Sequence, residues 1–460
     1  MEGRFFMRIV VVGVGKVGKT LADQLTREEH DVVVIDRNEE VLQRIEDMLD
    51  VLCVPGNGAN AKTLLEANVG KADIVIATTA TDETNMLCCL IAKRLGAKYT
   101  IARIRDPEYN ESLALLQQEL GIDMTINPER TTAQEISRLL RFPFASNIEN
   151  FARGQVEMVE FRCLDTDPIA GLALREMPSR IRNLPRVLYA AVERNGEVTI
   201  PNGDFVIQAG DRLYVAADTT TMTHYFRQMG RNAKRVRNTM ILGGGRVSYY
   251  LSRIIAPIGI DVSLIEIDKA KSERLSEMLP DVNVILGDGT DQELLMQAGL
   301  QDMDAFVALC DRDEENLMTA LYASRQGVPK VVVKNNRLTY ADIINSLGLD
   351  SIVSTRSITV DTILRYVRAR VGGGGTAVEK LFRLVGGKAE ALEFVAKKGD
   401  PYIGIPLKNL TMRNNSLVAV IVRRNKVIVP SGDDTIEAND NVLIVTRGSG
   451  VSNLNEVIRR

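Results

Sequence analysis

The chain repeats itself once, and this duplication limits its possible folds more than any single motif does. Residues 7–18 read MRIVVVGVGKVG, and residues 238–248 read NTMILGGGRVS. The matched pairs include Gly13 with Gly243, Gly15 with Gly245, Asp36 with Glu266, Leu64 with Leu295, and Asp73 with Asp304, and the register shifts by one inserted residue after Glu266. A period of about 230 residues indicates two tandem multi-element domains rather than a solenoid of short repeats.

Each copy begins with short β-branched runs that alternate with helical patterns. In the first copy, the predicted strands are IVVVG, DVVVID, VLCV, ADIVIAT and TIARI. The predicted helices are Lys16–Glu28, Glu39–Leu49, Ala61–Ala67, Glu83–Leu95 and Glu108–Leu120. Near-continuous apolar strands joined by helices are typical of a parallel sheet that is covered on both faces. We therefore predict an α/β fold with one doubly wound parallel sheet in each copy.

A smaller pattern follows each of these sheets. Residues 155–217 contain three alternating, strand-like runs, and Asn195-Gly196 has the composition of a hairpin turn. The end of the second copy repeats this pattern, so we predict a small α+β module after each sheet. The predicted domains are 7–140, 151–226, 238–370 and 380–450. The predicted linkers lie near 145–155, 227–238 and 371–378.

The charge balance restricts the class of partner. The chain has 57 Lys+Arg and 60 Asp+Glu residues, which gives a net charge of −3. Nucleic acid is therefore not expected as a partner, because neutralising phosphates needs a basic face. No apolar run approaches the ~20 residues that span a bilayer, and the N-terminus lacks the layout of a signal peptide. We expect a cytoplasmic protein that reaches a membrane only through a partner.

The residues that usually carry catalysis are scarce. The chain has two histidines, and its five cysteines are too scattered for a disulfide framework. No spacing typical of a metal site is present, so we expect neither a metal ion nor catalytic residues. This scarcity weakens the case for acid–base, thiol or zinc chemistry.

A glycine-rich motif follows the first predicted strand and begins the first predicted helix. Gly13-Val14-Gly15-Lys16-Val17-Gly18 matches GxGxxG, and Asp36 ends the next predicted strand at the spacing that such a motif requires. In this motif the first glycine permits a tight turn, the second lets the backbone approach a pyrophosphate, and the third lets helix and strand pack closely. The helix N-terminus favours phosphate oxygens. The motif therefore predicts a site for a dinucleotide or an adenine nucleotide.

Asp36 is placed to accept hydrogen bonds from ribose hydroxyls. Its charge disfavours a 2′-phosphate, although the neighbouring Arg37 leaves the preference for NAD over NADP open. The second copy of the motif is Gly243-Gly244-Gly245-Arg246-Val247-Ser248, with serine at the third glycine position and Glu266 at the end of the next strand. Two interpretations stay open there: a second nucleotide site, or a vestigial half that only maintains the architecture.

Polar residues also follow later strands. Asp82-Glu83-Thr84-Asn85 is typical of a helix start, where acidic residues cap the helix and favour its dipole. The alternative is that Thr78, Thr79 and Asp82 line a nucleotide crevice. Arg103 ends the next strand and has a cationic counterpart in Lys334. Either cation could meet a phosphate or pair with an acidic side chain.

The order of these motifs resembles that of a known family. MRIVVVGVGKVG, VVVID, GNGAN, TDETNM and IARIRDP occur in this order before a small α+β module. The order is similar to that of the RCK domain, the regulator of potassium conductance. The doubled form resembles the RCK-domain regulatory subunits of Trk-type bacterial potassium uptake systems. The resemblance covers essentially the whole chain.

The resemblance implies tandem Rossmann-like domains, each followed by an RCK C-terminal module. It also implies a homo-oligomeric ring, a tetramer, that binds the inner face of a TrkH/TrkG-like potassium-translocating membrane protein and gates potassium flow when a nucleotide binds. The implied ligand is NAD or NADH, with ATP or ADP as alternatives. The implied contacts are Gly13, Val14, Gly15, Lys16, Val17, Asp36, Thr78, Thr79 and Arg103 in the first repeat. In the second they are Gly243, Gly244, Gly245, Arg246, Val247 and Glu266.

Two other functions remain as alternatives. An NAD-dependent oxidoreductase would use the same glycine loop, but the small modules offer no evident proton donor. A scaffold that has lost ligand binding would not need Gly13, Gly15 and Asp36. Whether the small modules bind a second messenger such as cyclic-di-AMP also stays open. We expect a non-catalytic sensor.

Overall fold

Near-continuous apolar runs of the first repeat form six parallel strands. The computed structural model describes residues 6–109, 112–142, 144–231, 236–336, 349, 351–371, 378–448, 451 and 453–459. The strands are β1 Arg8–Val12, β2 Asp31–Asp36, β3 Leu52–Pro55, β4 Ile74–Ala77, β5 Tyr99–Arg103 and β6 Met124–Ile126. Their order in the sheet is β3-β2-β1-β4-β5-β6. Ile9 and Val11 face one core, and Val10 and Val12 face another on the opposite side.

Helices cover both faces of this sheet. They are α1 Lys16–Arg27, α2 Glu39–Glu46, α3 Ala61–Glu66, α4 Asp82–Leu95 and α5 Leu113–Leu120. The predicted helix 108–120 is shorter than expected, because a 3₁₀ turn at Pro107–Tyr109 precedes α5. The predicted helix 39–49 ends at Glu46, and a turn leads into β3. The doubly wound sheet is confirmed in this repeat.

The second repeat forms an equivalent sheet. Its strands are β12 Asn238–Leu242, β13 Asp261–Glu266, β14 Val282–Leu286, β15 Ala305–Ala308, β16 Lys330–Lys334 and β17 Ser351–Val353. Its helices are α9 Arg246–Ile255, α10 Lys269–Met278, α11 Gln292–Gln297 and α12 Asp313–Arg325. The order β14-β13-β12-β15-β16-β17 reproduces that of the first repeat, and every pairing is parallel.

The small modules contain two five-stranded antiparallel sheets. The first contains β7 Asn147–Phe151, β8 Val156–Arg162, β9 Leu188–Arg194, β10 Glu197–Thr199 and β11 Arg212–Ala217, with helices α7 Met177–Arg180 and α8 Thr219–Gln228. The second contains β18 Val378–Leu384, β19 Ala389–Val395, β21 Ser416–Arg423, β22 Lys426–Ile428 and β23 Asn441–Arg447, and a separate pair is β20 Thr411–Met412 with β24 Ile458–Arg459. Residues of both antiparallel sheets form one apolar cluster, which includes Ala191, Tyr214, Ala391 and Val445.

One predicted linker is part of a sheet. Residues 145–155 are predicted to connect two domains, but Asn147–Phe151 forms β7 and pairs with β8. Ile148 and Phe151 are buried, so this short stretch contributes apolar side chains that the sequence pattern alone does not distinguish from a linker. Parts of the other two predicted linkers, residues 232–235 and 372–377, lie outside the described residues.

The helix that follows each parallel sheet packs in a core that contains residues of the other repeat. Helix α6 (Pro128–Arg141) follows the first sheet, yet its buried Ile136 and Leu140 lie in one apolar cluster with Ile241 and Leu251. Helix α13 (Thr355–Val371) follows the second sheet and packs along α1. Its inward-facing residues in the first repeat's core are Val360, Ile363, Leu364 and Val367.

The compact units of the chain reflect this exchange. One unit consists of Met1–Thr131 and Thr355–Gly373, and the other of Thr132–Ser354 and Gly374–Arg460. The first unit therefore contains the first parallel sheet and α13. The second contains most of α6, the second parallel sheet and both small modules. The four sequence ranges stay a prediction about domains, and the compact units differ from them at the two exchanged helices. Among the described residues, no helix has the length and apolar character required to span a bilayer.

A buried ion pair fastens α13 to the first repeat. Arg368 is only 2% exposed. Its Nη2 lies 2.6 Å from Glu28 Oε1 and its Nε lies 3.1 Å from Glu28 Oε2, which is a bidentate arrangement. Glu28 directly follows α1, so the pair joins the C-terminal end of α1 to the last turns of α13. The bidentate pair offsets the cost of burying the guanidinium charge of Arg368.

We expect Glu28→Gln to loosen α13 from the first unit. The substitution leaves the buried guanidinium of Arg368 without this opposite charge, which costs about 3 kcal/mol for a buried pair. Hydrogen exchange of the α13 amides measures the effect. The matched control is Asp23→Asn, which removes the exposed pair between Asp23 and Arg27 in α1 and should change stability by about 0.5 kcal/mol or less. Equal effects of the two substitutions would contradict the importance of the buried pair.

Candidate nucleotide site

The turn between β1 and α1 passes so close to the end of β4 that Gly13 has no room for a side chain. Gly13 has φ +88°, a conformation that favours glycine. A Cβ atom on Gly13 would lie 2.8 Å from both the backbone nitrogen and the Cα of Thr79. The N–H of Gly13 donates to the carbonyl oxygen of Ile35 at 2.8 Å. The first glycine is therefore required by both its backbone conformation and its neighbours.

The other two glycines of the motif have different surroundings. A Cβ atom on Gly18 would collide with the carbonyl oxygen of Gly13, so Gly18 allows α1 to pack against the turn. A Cβ atom on Gly15 would meet no described atom within 4 Å. Gly15 is the N-cap residue of the 12-residue helix α1 and makes no side-chain cap. The N-terminus of α1 thus faces open space, where backbone N–H groups favour an anion.

Asp36 holds this loop in place from the end of β2. Its Oδ2 accepts a hydrogen bond from the N–H of Val14 at 2.8 Å, and its Oδ1 accepts one from the N–H of Asn38 at 3.0 Å. A carboxylate oxygen can accept two hydrogen bonds. Within the part of the chain that the structure describes, each oxygen of Asp36 therefore has room for one further donor, such as a ribose hydroxyl. The sequence predicts the ribose role but does not reveal the bond to Val14.

Thr78, Thr79 and Arg103 meet at the carboxyl ends of β4 and β5. The hydroxyl of Thr78 donates to the carbonyl oxygen of Gly13 at 2.9 Å, and the guanidinium of Arg103 donates to the carbonyl oxygen of Thr79. Asn85 links the two strand ends, because its Oδ1 accepts from the N–H of Thr79 at 2.7 Å and its Nδ2 donates to the carbonyl oxygen of Arg103 at 2.8 Å. The structure thus brings all three predicted residues beside the glycine loop.

Sequence reasoning missed Asn85 as a residue that organises the site, because from sequence it resembles part of an ordinary helix start. The available signal is the recurrence of asparagine at Asn316. That residue makes the equivalent bonds to the N–H of Cys310 at 2.7 Å and the carbonyl oxygen of Lys334 at 3.0 Å.

Asp82 also has a role beyond the helix start. Its Oδ2 accepts from two successive backbone N–H groups after β5, those of Arg105 and Asp106, each at 2.8 Å. Its carboxylate therefore fixes the chain that leaves β5. Neither the capping interpretation nor the crevice interpretation of Asp82 includes this contact.

The second loop has the same backbone path with different side chains. Gly243 has φ +91°, and a Cβ atom there would lie 3.1 Å from the backbone of Cys310. Leu309 occupies the position of Thr78 and cannot donate a side-chain hydrogen bond. The hydroxyl of Ser248 instead donates to the carbonyl oxygen of Gly243, the atom equivalent to the one that Thr78 binds in the first repeat. Serine at the third glycine position therefore supplies the bond that Leu309 cannot make.

A second pair of changes alters the acidic residue. Where the first repeat has Val14 and Asp36, the second has Gly244 and Glu266. A Cβ atom on Gly244 would lie 2.7 Å from Oε2 of Glu266, so the longer acid occupies space that a side chain at this position would need. Glu266 is 4% exposed and accepts from the N–H of Gly244 at 2.8 Å and of Asp268 at 2.9 Å.

The surroundings of Glu266 keep it ionised. Burial alone would raise the pKa of this carboxyl. The N–H groups of Asp268 and Gly244 and the ammonium group of Lys271 outweigh burial and hold the pKa below its usual value. Lys271 Nζ lies 2.9 Å from Glu266 Oε2.

Lys334, the counterpart of Arg103, donates to the carbonyl oxygen of Leu309 at 2.9 Å.

The remaining predicted residues lie at the rims of the two loops. Gly15, Lys16 and Arg246 are exposed, Val17 and Gly245 are partly exposed, and Val14 and Val247 are buried. The exposed residues cluster where each glycine loop enters its helix. Their ligand contacts stay predictions, while the geometry of both loops is suited to a phosphate at the start of α1 and of α9.

We expect Ser248→Gly to destabilise the second repeat, although it restores the GxGxxG pattern. The change removes the hydrogen bond to the Gly243 carbonyl, which Leu309 cannot replace, and weakens the helix, so it should cost about 1–2 kcal/mol. Chemical denaturation measures the loss. Ser276→Gly on the exposed side of α10 is the control, because it includes the helix penalty and the loss of a hydroxyl bond to the Ser272 carbonyl within the helix, without any change to the loop. An equal or smaller loss for Ser248→Gly would contradict the role of its hydroxyl.

Two domain families match this chain, each twice. The TrkA-N domain matches residues 9–128 and 239–355, and the TrkA-C domain matches residues 158–230 and 391–459. These ranges contain both glycine loops and most of the two small modules. The duplication inferred from sequence is therefore a duplication of a TrkA-N and TrkA-C pair.

Relatives and solved structures agree with this assignment. The Trk system potassium uptake protein TrkA homolog of Archaeoglobus fulgidus is 32% identical over 454 residues, which cover 98% of this chain and all of that protein. A structure of the GsuK channel bound to NAD has a TM-score of 0.63 and 18% identity, and covers 97% of this chain and 78% of that one. A structure of GsuK bound to ADP has a TM-score of 0.51 and 16% identity, and covers 79% and 69%.

The two kinds of comparison support different statements. At 16–18% identity, the GsuK structures show that the fold is shared. The domain matches and the 32% identity over the full length of a relative show common descent. From the paired glycine loops, the paired modules and these matches, the chain belongs to the TrkA family of Trk-system potassium uptake proteins.

Proposed function

We propose that this protein is a nucleotide-sensing regulatory subunit that gates potassium uptake and catalyses no reaction of its own. The observation that carries the proposal is the first glycine loop. Gly15 leaves open space at the N-terminus of α1, and Asp36 stands at the rim with room for a further donor on each oxygen. A loop of this geometry accommodates a pyrophosphate and a ribose in a chain whose relatives are potassium uptake proteins.

The proposed ligand is NAD or NADH, with ATP or ADP as alternatives. All four carry a diphosphate and a ribose, which are the groups that the loop and Asp36 suit. GsuK structures described as bound to NAD and to ADP support both classes. The carboxylate of Asp36 disfavours a 2′-phosphate by charge repulsion, so we propose that NADP is a poor ligand.

The position of the titratable groups supports a sensor over the alternative oxidoreductase. His30 precedes β2, at the amino ends of the strands, whereas the glycine loop lies at their carboxyl ends. The Nδ1 of His30 accepts from the N–H of Met7 at 3.4 Å. Burial raises the pKa of the Cys88 thiol to about 12 and that of Cys89 well above its usual value, so both thiols are protonated near neutral pH. His30 is therefore poorly placed, and the two thiols are too weakly acidic, for proton transfer to a bound nicotinamide.

The packing of α1 offers a route by which the first site could act on the rest of the chain. Its N-terminus forms the anion-facing end of the loop, and its length packs against α13. The Glu28–Arg368 pair fastens the far ends of the two helices. We propose that a ligand that repositions α1 shifts α13, the helix encoded after the second sheet.

The proposed assembly is a homo-oligomeric ring, a tetramer, on the inner face of the cell membrane. Its proposed partner is a TrkH/TrkG-like potassium-translocating protein, which would supply the membrane segments. The full-length similarity to Trk-system proteins supports a membrane partner of this class. Only a nucleotide that binds two shapes of the ring with different affinity can gate such a partner.

We expect Gly15→Val to abolish tight nucleotide binding at the first loop without unfolding it. The added side chain would project into the space that a pyrophosphate needs, and a Cβ atom at this position meets no described protein atom. Calorimetric titration with NADH and with ADP measures the change in binding. An unchanged melting temperature is the control for folding. Wild-type affinity in Gly15→Val would show that the loop is not the site.

Gating is tested by potassium flux. We expect flux through liposomes that contain a TrkH-like protein and this chain to differ between NADH, ADP, ATP and no nucleotide, because the proposed ring exists in at least two shapes. Gly15→Val should reduce the response to nucleotide that depends on the first site. Identical flux under all four conditions would reject gating even if nucleotide binding were demonstrated.

A further inference from the structure

The acidic residues of the two glycine loops have different hydrogen-bond donors, and the additional donor in the second loop is the ammonium group of Lys271. We propose that Lys271 lowers the nucleotide affinity of the second loop by holding the Glu266 carboxylate against the loop and saturating its Oε2, so that the carboxylate can receive only one of the two ribose hydroxyls. The proposal rests on the proposed function, because it presumes that both loops are nucleotide sites. It assigns Lys271 as a positioning residue that makes the two sites of one chain unequal.

Counting hydrogen-bond donors shows how the two carboxylates differ. In the first repeat, Oδ2 of Asp36 receives the N–H of Val14, and Oδ1 receives the N–H of Asn38. In the second repeat, Oε2 of Glu266 receives both the N–H of Gly244 at 2.8 Å and the ammonium of Lys271 at 2.9 Å. A ribose diol that donates one bond to each carboxylate oxygen fits Asp36 but finds Oε2 of Glu266 saturated.

The burial of Glu266 makes this pairing hard to bypass. The side chain of Glu266 is 5% exposed, whereas that of Lys271 is 46% exposed. The carboxylate lies where a side chain on Gly244 would otherwise stand. To receive both ribose hydroxyls, the carboxylate must give up Lys271 or turn away from the loop. Nucleotide binding at the second loop therefore competes with the ion pair.

The equivalent position in the first repeat is apolar. Val41 matches Lys271 at the same offset that relates Gly13 to Gly243, and it packs partly buried against the apolar core. Val41 is the third residue after the N-cap Asn38 in α2, just as Lys271 is the third residue after the N-cap Asp268 in α10. The two positions are thus matched in local structure and differ in charge, which allows a reciprocal exchange.

Ser248 is a weaker explanation for unequal sites. It is the more visible departure from GxGxxG, but its hydroxyl replaces the bond that Thr78 makes in the first repeat. The loop that Ser248 supports retains a glycine at Gly245, and a Cβ atom there meets no described atom within 4 Å, as at Gly15. The phosphate space at the start of α9 is therefore intact, and the ribose end of the site is where the repeats diverge.

The first experiment uses the Gly15→Val variant, in which only the second loop is expected to bind nucleotide. Calorimetric titration measures its affinity for ADP. In this background we expect Lys271→Met to bind ADP about three- to fivefold more tightly, the scale of a partly exposed ion pair. Lys271→Arg should keep the weaker affinity, because it restores the cation. Weaker binding in Lys271→Met would overturn the proposal and show that the ammonium attracts phosphate instead. Undetectable binding both with Lys271 in place and after Lys271→Met would also overturn it.

The reciprocal experiment isolates the first loop with Gly245→Val. Here we expect Val41→Lys to weaken ADP binding about three- to fivefold, since the new ammonium group would pair with Asp36. Val41→Met is the control for size without charge and should bind like valine. Hydrogen exchange of the loop amides checks that each variant is folded. If Val41→Lys does not fold, the Lys271 series decides the question alone.

These outcomes separate the inference from the function on which it rests. If the wild-type chain binds no nucleotide at either loop, the proposed function fails. If the first loop binds ADP normally while Lys271→Met and Val41→Lys leave their sites unchanged, the proposed function stands and the role of Lys271 is wrong.

Discussion

The close approach of the first glycine loop to the end of β4 is the constraint on which the site depends. Gly13 must take a positive φ and must lack a side chain, because the backbone of Thr79 stands where a Cβ atom would lie. This approach lets the Thr78 hydroxyl reach the Gly13 carbonyl and lets α1 start beside the strand ends. Neighbouring residues hold the turn against the strand ends, so Gly15 needs no side chain and the space beside it stays open.

In the second repeat, two pairs of residue replacements maintain the same packing around the loop. Thr78 with Gly18 becomes Leu309 with Ser248, and the hydroxyl that binds the loop carbonyl moves from the strand end to the helix. Val14 with Asp36 becomes Gly244 with Glu266, and the longer acid fills the space of the missing side chain. Such compensation preserves the backbone while altering what a ligand would meet, because close-packed neighbours must change together.

The sequence is sufficient for the architecture and for the location of both loops, because periodicity and glycine spacing are local signals. It cannot reveal which residues a carboxylate contacts: Asp36 accepts a hydrogen bond from the N–H of Val14, and the buried Glu266 accepts one from the N–H of Gly244. The exchange of α6 and α13 is equally hidden. An apolar stripe such as that of Val360, Ile363, Leu364 and Val367 in α13 indicates a buried helix face, but it does not specify which core the helix enters. Strand β7 escapes sequence analysis because its apolar residues are few.

Helix exchange makes the packing of each repeat depend on a segment encoded in the other. The first unit contains a helix encoded after the second sheet, and Arg368 in that helix is buried against Glu28. A ligand that alters the packing of α1 therefore changes the free energy of α13, a segment encoded after the second sheet. Coupling of this kind requires the ligand to bind two arrangements unequally. Two sites of unequal affinity would widen the range of nucleotide concentration over which this coupling acts. One loop would fill at low concentration and the other only at higher concentration. The difference between Val41 and Lys271 is thus a means by which one duplicated chain could report two levels of the same ligand.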